Sequence, residues 1–368
     1  MFSNKWQVWV AVGVSVVLLL ILLYQVNLGE IKDALADANY AYLAPAIVLY
    51  FGAVLFRTIR WRYLLLPLRE FPVRRLYPVV IIGYMANNLL PVRLGEVVRA
   101  YYLARQENFN TSSALGTIAV ERLFDGITLL AFAAISAPWL LLLGEFDGAG
   151  DISRSAVIAL TVLAVAAFGG FLVFFTLLSR NPKFAALVAL ILNLLPVRLR
   201  PAASRFFWTF VSGLAVLNSP RKQLALMLLS VPVWLFEGAM YFLIAYSFNL
   251  DAHFGSIGVL VLVAALLTAT SNLATAVPSA IGGIGPFEVV AQQTLVALGV
   301  GASVAGAYAG FVHLVALWLP VNLVGLVLLW RQNLSLKQLV GSWRDETLEP
   351  ATGLAGNPGN PQAGGPPP

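Results

Sequence analysis

NNLLPVRLGEVVRAYYLARQ, residues 87–106, and SNLATAVPSAIGGIGPFEVV, residues 271–290, interrupt the apolar runs of this chain. Both follow one order: an Asn, a Pro, a Gly, then a Glu (Glu96 or Glu288) that opens a second helical stretch. Proline removes a backbone donor and glycine weakens helix, so each segment breaks an otherwise membrane-length helix. One such break in each half of a chain points to a binding site near the bilayer midplane, as in transporters built from two repeats.

The surroundings are those of a membrane protein. The chain is 60% hydrophobic and 11% charged, with a mean hydropathy of +0.83. A soluble domain of that composition would lack the charge its surface needs. Repeated apolar stretches of roughly 20 residues match the hydrocarbon thickness of a bilayer. The first, residues 6–24, is too long for a signal-peptide core and has no small-residue cleavage pattern after it, so it is expected to be retained as a span. Cysteine is absent, which excludes disulfides and a thiol nucleophile, and two histidines are too few for a histidine metal cluster. No GxxxxGK[ST] loop occurs, so direct ATP drive is not expected.

The net charge of +6 reads as an orientation signal rather than a nucleic-acid footprint. Basic residues cluster at 57–75, 180–205, 221–222 and 331–344, whereas residues 30–37, 145–151 and 249–253 are acidic or nearly neutral. Loops rich in Lys and Arg stay cytoplasmic. One topology satisfies all of these: spans at 6–24, 114–143 and 224–248 running outward, spans at 42–56, 156–178 and 303–330 running inward, and both termini cytoplasmic. If 77–90 crossed outright, Arg93, Arg99 and Arg105 would face outside. A re-entrant hairpin of 77–90 and 96–106 avoids this, and 258–276 with 287–298 forms its counterpart from the other face. The expectation is an all-α polytopic membrane protein of six transmembrane helices plus two re-entrant helical hairpins in an inverted repeat. The halves are about 40–178 and 224–331, within an integral membrane domain of residues 1–344. They are joined by a cytoplasmic segment, 180–222, whose stretches 184–195 and 206–217 read either as amphipathic helices on the inner leaflet or as ordinary connectors. Residues 345–368 are Pro- and Gly-rich and read as a disordered tail.

Charges inside apolar spans cost a few kcal/mol unless paired or hydrated, roughly 3 by insertion measurements, so the short list of them is informative. Arg93, Glu96 and Arg99 follow at spacings of three and share a helical face. In VERLFD, Glu121 and Asp125 share a face and Arg122 reaches Asp125. The second half carries Glu237 and Glu288, with His313 as a titratable extra. Arginines in one half and lone acids in the other suggest pairing across the pseudo-two-fold axis, with Glu288 opposite Arg93 or Arg122. Pro286 suits a first helical position and puts Glu288 in the first turn. Free N–H groups at such a half-helix start suit an anion such as phosphate, and the bland alternative is that Glu96 and Glu288 merely cap their helices. Trp139, Trp318 and Trp330 read as interfacial or packing residues, His313 as a hydrogen-bonded interior histidine before a proton relay, and Asn322 as a partner for carbonyls freed by Pro320.

The runs NNLLPVRLGEVVRAYYLARQ, VERLFD and PSAIGGIGPFE, in that order, resemble the family named after the transmembrane region of lysylphosphatidylglycerol synthase. The resemblance covers residues 6 to about 331. It implies a flippase-like membrane region that moves lipid between leaflets, without the separate soluble domain that makes aminoacylated lipid. By motif, Asn88, Pro91, Gly95, Glu96 and Arg99 belong to the first signature, Glu121, Arg122 and Asp125 to the second, and Gly282, Gly283, Gly285 and Glu288 to the third. The expected partners are an anionic phospholipid or a polyprenyl-phosphate-linked lipid in the cell membrane, together with a lipid-modifying enzyme. No cofactor and no nucleic acid are expected. The expected role is a lipid flippase whose Arg93, Arg99 and Arg122 hold a phosphate headgroup. The alternatives are a glycosyl- or aminoacyl-transferase component acting on a lipid-linked substrate, or a membrane scaffold for such an enzyme.

Overall fold

The computed structural model describes residues 5–90, 94–146, 154–197, 199–276 and 282–332. Pro91, Arg93 and the tail 345–368 lie outside them. In chain order the helices are α1 (Lys5–Tyr24), α2 (Leu28–Asp37), α3 (Leu43–Leu65), α4 (Val73–Leu89), α5 (Gly95–Glu107) and α6 (Thr111–Leu143). They continue with α7 (Arg154–Arg180), α8 (Pro182–Ala189), α9 (Arg200–Gly213), α10 (Pro220–Ser247) and α11 (Leu250–Phe254). The last are α12 (Ile257–Ala274), α13 (Pro286–Ala297), α14 (Ala302–Gly310) and α15 (Leu319–Arg331). Between α14 and α15, Phe311–Trp318 is wound as a π-helix, so 302–331 is one continuous rod with a widened middle. There is no strand among the described residues.

Five helices among the described residues are long and apolar enough to cross a membrane: Tyr40–Leu65, Thr111–Leu143, Pro220–Ser247, Ile257–Ala274 and Ala302–Arg331. Two further pairs qualify only if a sharp bend is allowed, 84° between Gly13–Tyr24 and Leu28–Asp37 and 105° between Gly169–Arg180 and Pro182–Leu194. The protein is therefore an all-helical, multi-pass membrane protein. α12, expected as one arm of a hairpin, has span length on its own. α3 runs nine residues past the expected boundary at position 56 and takes Arg57 and Arg60 inside the helix.

Contacts between helices repeat when the two halves are exchanged. α3 and α10 pack on each other, α6 packs on α12 while α15 packs on α4, and α4–α5 pairs as α12–α13 does. This reciprocity is compatible with an inverted repeat, and each broken segment is packed against a span of the other half, α4 against α15 and α12 against α6.

Close approaches are made by glycines. A Cβ on Gly95 would lie 2.2 Å from the Gly83 carbonyl oxygen and 2.4 Å from the Asn87 nitrogen, so α5 folds back on α4 with backbone touching backbone. α9 docks on α6 in the same way, where a Cβ on Gly213 would lie 2.4 Å from the Ser113 oxygen. The connector is thus fastened to the helical body through α9. It still exposes Leu187, Ile191, Leu194 and Trp208 beside Arg180, Lys183 and Arg205.

Candidate functional site

At the centre, side chains from four helices form one ion-paired network. α6 brings Glu121, Arg122 and Asp125 onto adjacent faces, as their spacing requires. Glu121 is fully buried and takes both guanidinium nitrogens of Arg99 at 2.9 Å. The Arg99 guanidinium also lies over the ring of Trp61, 3.7 Å from its centroid. Such a bidentate, stacked arginine is fixed in place. Arg60 of α3 reaches Asp125 Oδ1 at 2.8 Å and donates to Ser230 Oγ of α10 at 2.8 Å. Trp234 donates its indole N–H to the same Asp125 oxygen. Arg57, one turn before Arg60, pairs with Glu237 of α10 at 2.7 Å and lies over the Trp234 ring.

Arg122 differs from the other three arginines. It touches Glu121 at 2.8 Å, Asp125 at 3.3 Å and Glu96 at 3.4 Å, yet its side chain is 32% exposed and that of Glu96 is 28% exposed. The Arg99 side chain is 3% exposed. Arg99 and Arg60 are therefore internal braces, and Arg122 is the cation presented outward. Among the described residues, four guanidinium groups meet four carboxylates, so these charges balance one another without a ligand. That balance permits charge at membrane depth, where an isolated ion costs roughly 3 kcal/mol or more.

The second break is built from backbone. Gly282, Gly283 and Gly285 have φ of +59°, +84° and +100°, conformations that a side chain disfavours. Pro286 starts α13, and Glu288 reaches back to accept the Gly285 N–H at 2.7 Å. Glu288 therefore caps its own helix, as the bland reading held. Its other oxygen lies 2.6 Å from His313 Nδ1, and His313 Nε2 lies 3.1 Å from the Gly282 carbonyl oxygen. The expected pairing of Glu288 with Arg122 is corrected here: among the described residues its partners are His313 and the glycine loop, and Arg122 is taken by first-half acids, while Arg93 lies outside the described residues. Pairing across the halves does occur, but between Arg57 and Glu237.

The two breaks meet. A Cβ on Gly282 would lie 3.2 Å from the Asn88 carbonyl oxygen, and Asn88 donates its amide to Asn322 Oδ1 at 3.4 Å. Asn322 thus binds a side chain of the other half and not a proline-freed carbonyl among the contacts described. Around this junction is a cavity of about 420 Å³. Asn88, Glu96, Arg122, Asp125, Glu237, Gly282, Gly283 and His313 line it, while Arg99, Glu121, Gly285 and Glu288 stand behind that lining.

Arg57, Tyr50, Tyr84, Trp234, Asn272 and Trp318 also line the cavity, and sequence reasoning did not assign them to it. Tyr84 Oη, Asn87 Oδ1 and Trp318 Nε1 are buried there without a hydrogen-bond partner among the described residues. Buried polar atoms of this kind are normally satisfied, so these three are free to meet a ligand or water. Trp318 is therefore a cavity residue and not a belt residue, unlike Trp139 and Trp330, which are 56% and 78% exposed. Among the described residues, no three His, Asp or Glu side chains are grouped to hold a metal ion.

An all-helical membrane fold with a charged, balanced centre between two broken segments defines a class of polytopic membrane proteins. The chain belongs to the lysylphosphatidylglycerol synthase TM region family, whose description matches residues 8–324. It is 26% identical to a UPF0104 membrane protein of Methanothermobacter thermautotrophicus over 86% of this chain and 93% of the relative. A UPF0104 membrane protein of Pyrococcus horikoshii is 23% identical, over 87% and 96%. The glycosyltransferase AglD of Haloferax volcanii is 27% identical over 77% of this chain, a match that spans 48% of AglD. No solved structure matches.

Proposed function

We propose that this protein moves the phosphate-bearing headgroup of a lipid between leaflets through the central cavity, while the apolar tails stay in lipid. The observation that carries this reading is the Arg122–Glu96 pair, a partly exposed ion pair facing a cavity of about 420 Å³ inside a membrane-type bundle. With the site empty, Arg122 is neutralised by its own carboxylates. A phosphate can take over from Glu96, whose 3.4 Å contact is the loosest of the set. When the headgroup leaves, Glu96 restores the balance. Arg57 and Glu237, with the free Tyr84 and Trp318 donors, suit the polar remainder of a headgroup that carries donors as well as acceptors.

In this reading the two breaks are oppositely directed re-entrant hairpins, and the halves, residues 40–178 and 224–331, rock about them to give alternating access. Both termini face the cytoplasm of a cell whose plasma membrane holds the protein. The test is leaflet exchange of headgroup-labelled phosphatidylglycerol, and in parallel a polyprenyl-phosphate-linked sugar, in liposomes with purified protein. Wild type accelerates exchange of at least one, and Arg122→Gln does not. Equal exchange by both proteins, or none by either across these lipids, removes the flippase reading.

The similarity to AglD favours one second reading, a membrane component of an enzyme that uses a lipid-linked donor. That reading expects Arg122→Gln to leave a partner enzyme's product yield unchanged.

A further inference from the structure

We propose that the His313–Glu288 pair is a proton-binding site whose loss of a proton releases the glycine loop at the tip of the second break. The argument begins with donors and acceptors. The Gly282 carbonyl can only accept, so the His313 Nε2 that faces it at 3.1 Å carries a hydrogen. The 2.6 Å contact between Nδ1 and Glu288 Oε1 then needs one more proton, either on the imidazole or on the carboxyl group. Both arrangements hold the same number of protons. Removal of that proton to water in the cavity leaves one hydrogen for two ring nitrogens that both face acceptors, so either the Glu288 contact or the Gly282 contact must open.

The pair is placed to transmit that change. His313 grips the loop through Gly282, and Glu288 grips it three residues later through the Gly285 N–H. Ser15 of α1 holds the same loop by donating to the Ile284 carbonyl. Phe287 stacks on the imidazole, with ring centroids 4.1 Å apart, which fixes the ring plane. The loop residue that moves is the one in contact with Asn88, where the two breaks meet. Among the described residues the other charged groups around the cavity are already matched, Arg57 with Glu237 and Arg122 with Glu96 and Asp125, and the hydroxyls of Tyr50 and Tyr84 are the remaining titratable groups there. None of them is hydrogen-bonded or ion-paired to the His313–Glu288 pair among the described residues, so the proton is held by the pair's own contacts.

The transport part of this inference rests on the function proposed above, and the proton site itself does not. Two measurements separate them. The chain has two histidines, so ¹⁵N-histidine labelling of the full protein carrying His253→Gln reports His313 alone. Glu288→Gln is the informative variant, because a Gln amide can donate to Nδ1 and accept from Gly285 N–H, copying the protonated pair without its mobile proton. Across the pH range in which the protein stays folded, the His313 resonances are expected to shift with Glu288 present and to stay in the neutral Nε2–H form in Glu288→Gln. Identical, pH-invariant spectra in both proteins overturn the site.

The second measurement is exchange of labelled phosphatidylglycerol in liposomes with and without a pH gradient. The gradient is expected to change the rate several-fold in wild type and to have no effect in Glu288→Gln or His313→Gln. A gradient effect that survives in both variants overturns the coupling. Absence of all exchange defeats the proposed substrate, and the histidine spectra then decide the proton site alone.

Discussion

The α4–α5 break and the α12–α13 break touch at Asn88 and Gly282, yet they hold polar groups at membrane depth by different means. The first relies on charge. Arg99, Arg122 and Glu96 stand on or beside α5, and each is matched by a partner on another helix. The second relies on backbone freedom, with three glycines at positive φ and one histidine–carboxylate pair. A network of matched ions is sensitive to loss of one ion and indifferent to small changes of path. A glycine loop is the reverse. The difference predicts which substitutions harm which half.

Glu121→Gln should have the largest effect. It leaves Arg99 without its buried bidentate partner, and breaking one member of a buried pair costs about 3–5 kcal/mol. Thermal unfolding of the purified protein in detergent reads this directly, and a melting curve matching wild type would show that the first break is not held by charge. Gly95→Ala comes next. Its Cβ would overlap the Gly83 oxygen at 2.2 Å, so α4 and α5 must separate, at a cost of at least about 1–3 kcal/mol. Gly238→Ala, whose nearest neighbour is 3.5 Å away, is the control and should melt like wild type.

Gly283→Ala should cost roughly 1–2 kcal/mol from its φ of +84°. The same substitution at the helical Gly238 carries no such strain, so equal melting of the two variants would deny the loop its role. Arg122→Gln should lower stability clearly less than Glu121→Gln, since Glu121 keeps Arg99 and Asp125 keeps Arg60. Its expected effect is on lipid exchange. Gln25→Ala, which removes an exposed hydrogen bond to Gln293, should stay within about 0.5 kcal/mol and sets the noise level for the series.

The sequence made the helical class and both breaks readable, because proline and glycine inside apolar runs have few other uses. It also made VERLFD readable, since spacings of three and four put Glu121, Arg122 and Asp125 together. Arg57 and Arg60 were hidden by the rule that located the loops. Counting Lys and Arg by position assumes each is solvated, whereas these two are 6% and 0% exposed inside α3. Their spacing of three beside Trp61 was the available signal. The partner of Glu288 was not readable either, because charge inventory pairs opposites by sign while the fold pairs them by reach. His313 is 25 residues away in sequence and one hydrogen bond away in space.

The π-helical stretch Phe311–Trp318 has a consequence for chain length. An α-helix turns about 100° per residue, so deletion of one residue from α15 would swing Asn322 away from Asn88 and Gly325 away from Met85. A π-turn already holds a surplus residue. One deletion inside that stretch can be absorbed by rewinding to ordinary helix, with everything downstream still facing α4. Comparing the melting of a one-residue deletion in Phe311–Trp318 with one in α15 measures this. The rod therefore contains a built-in allowance for the loss of one residue, located where it touches the cavity.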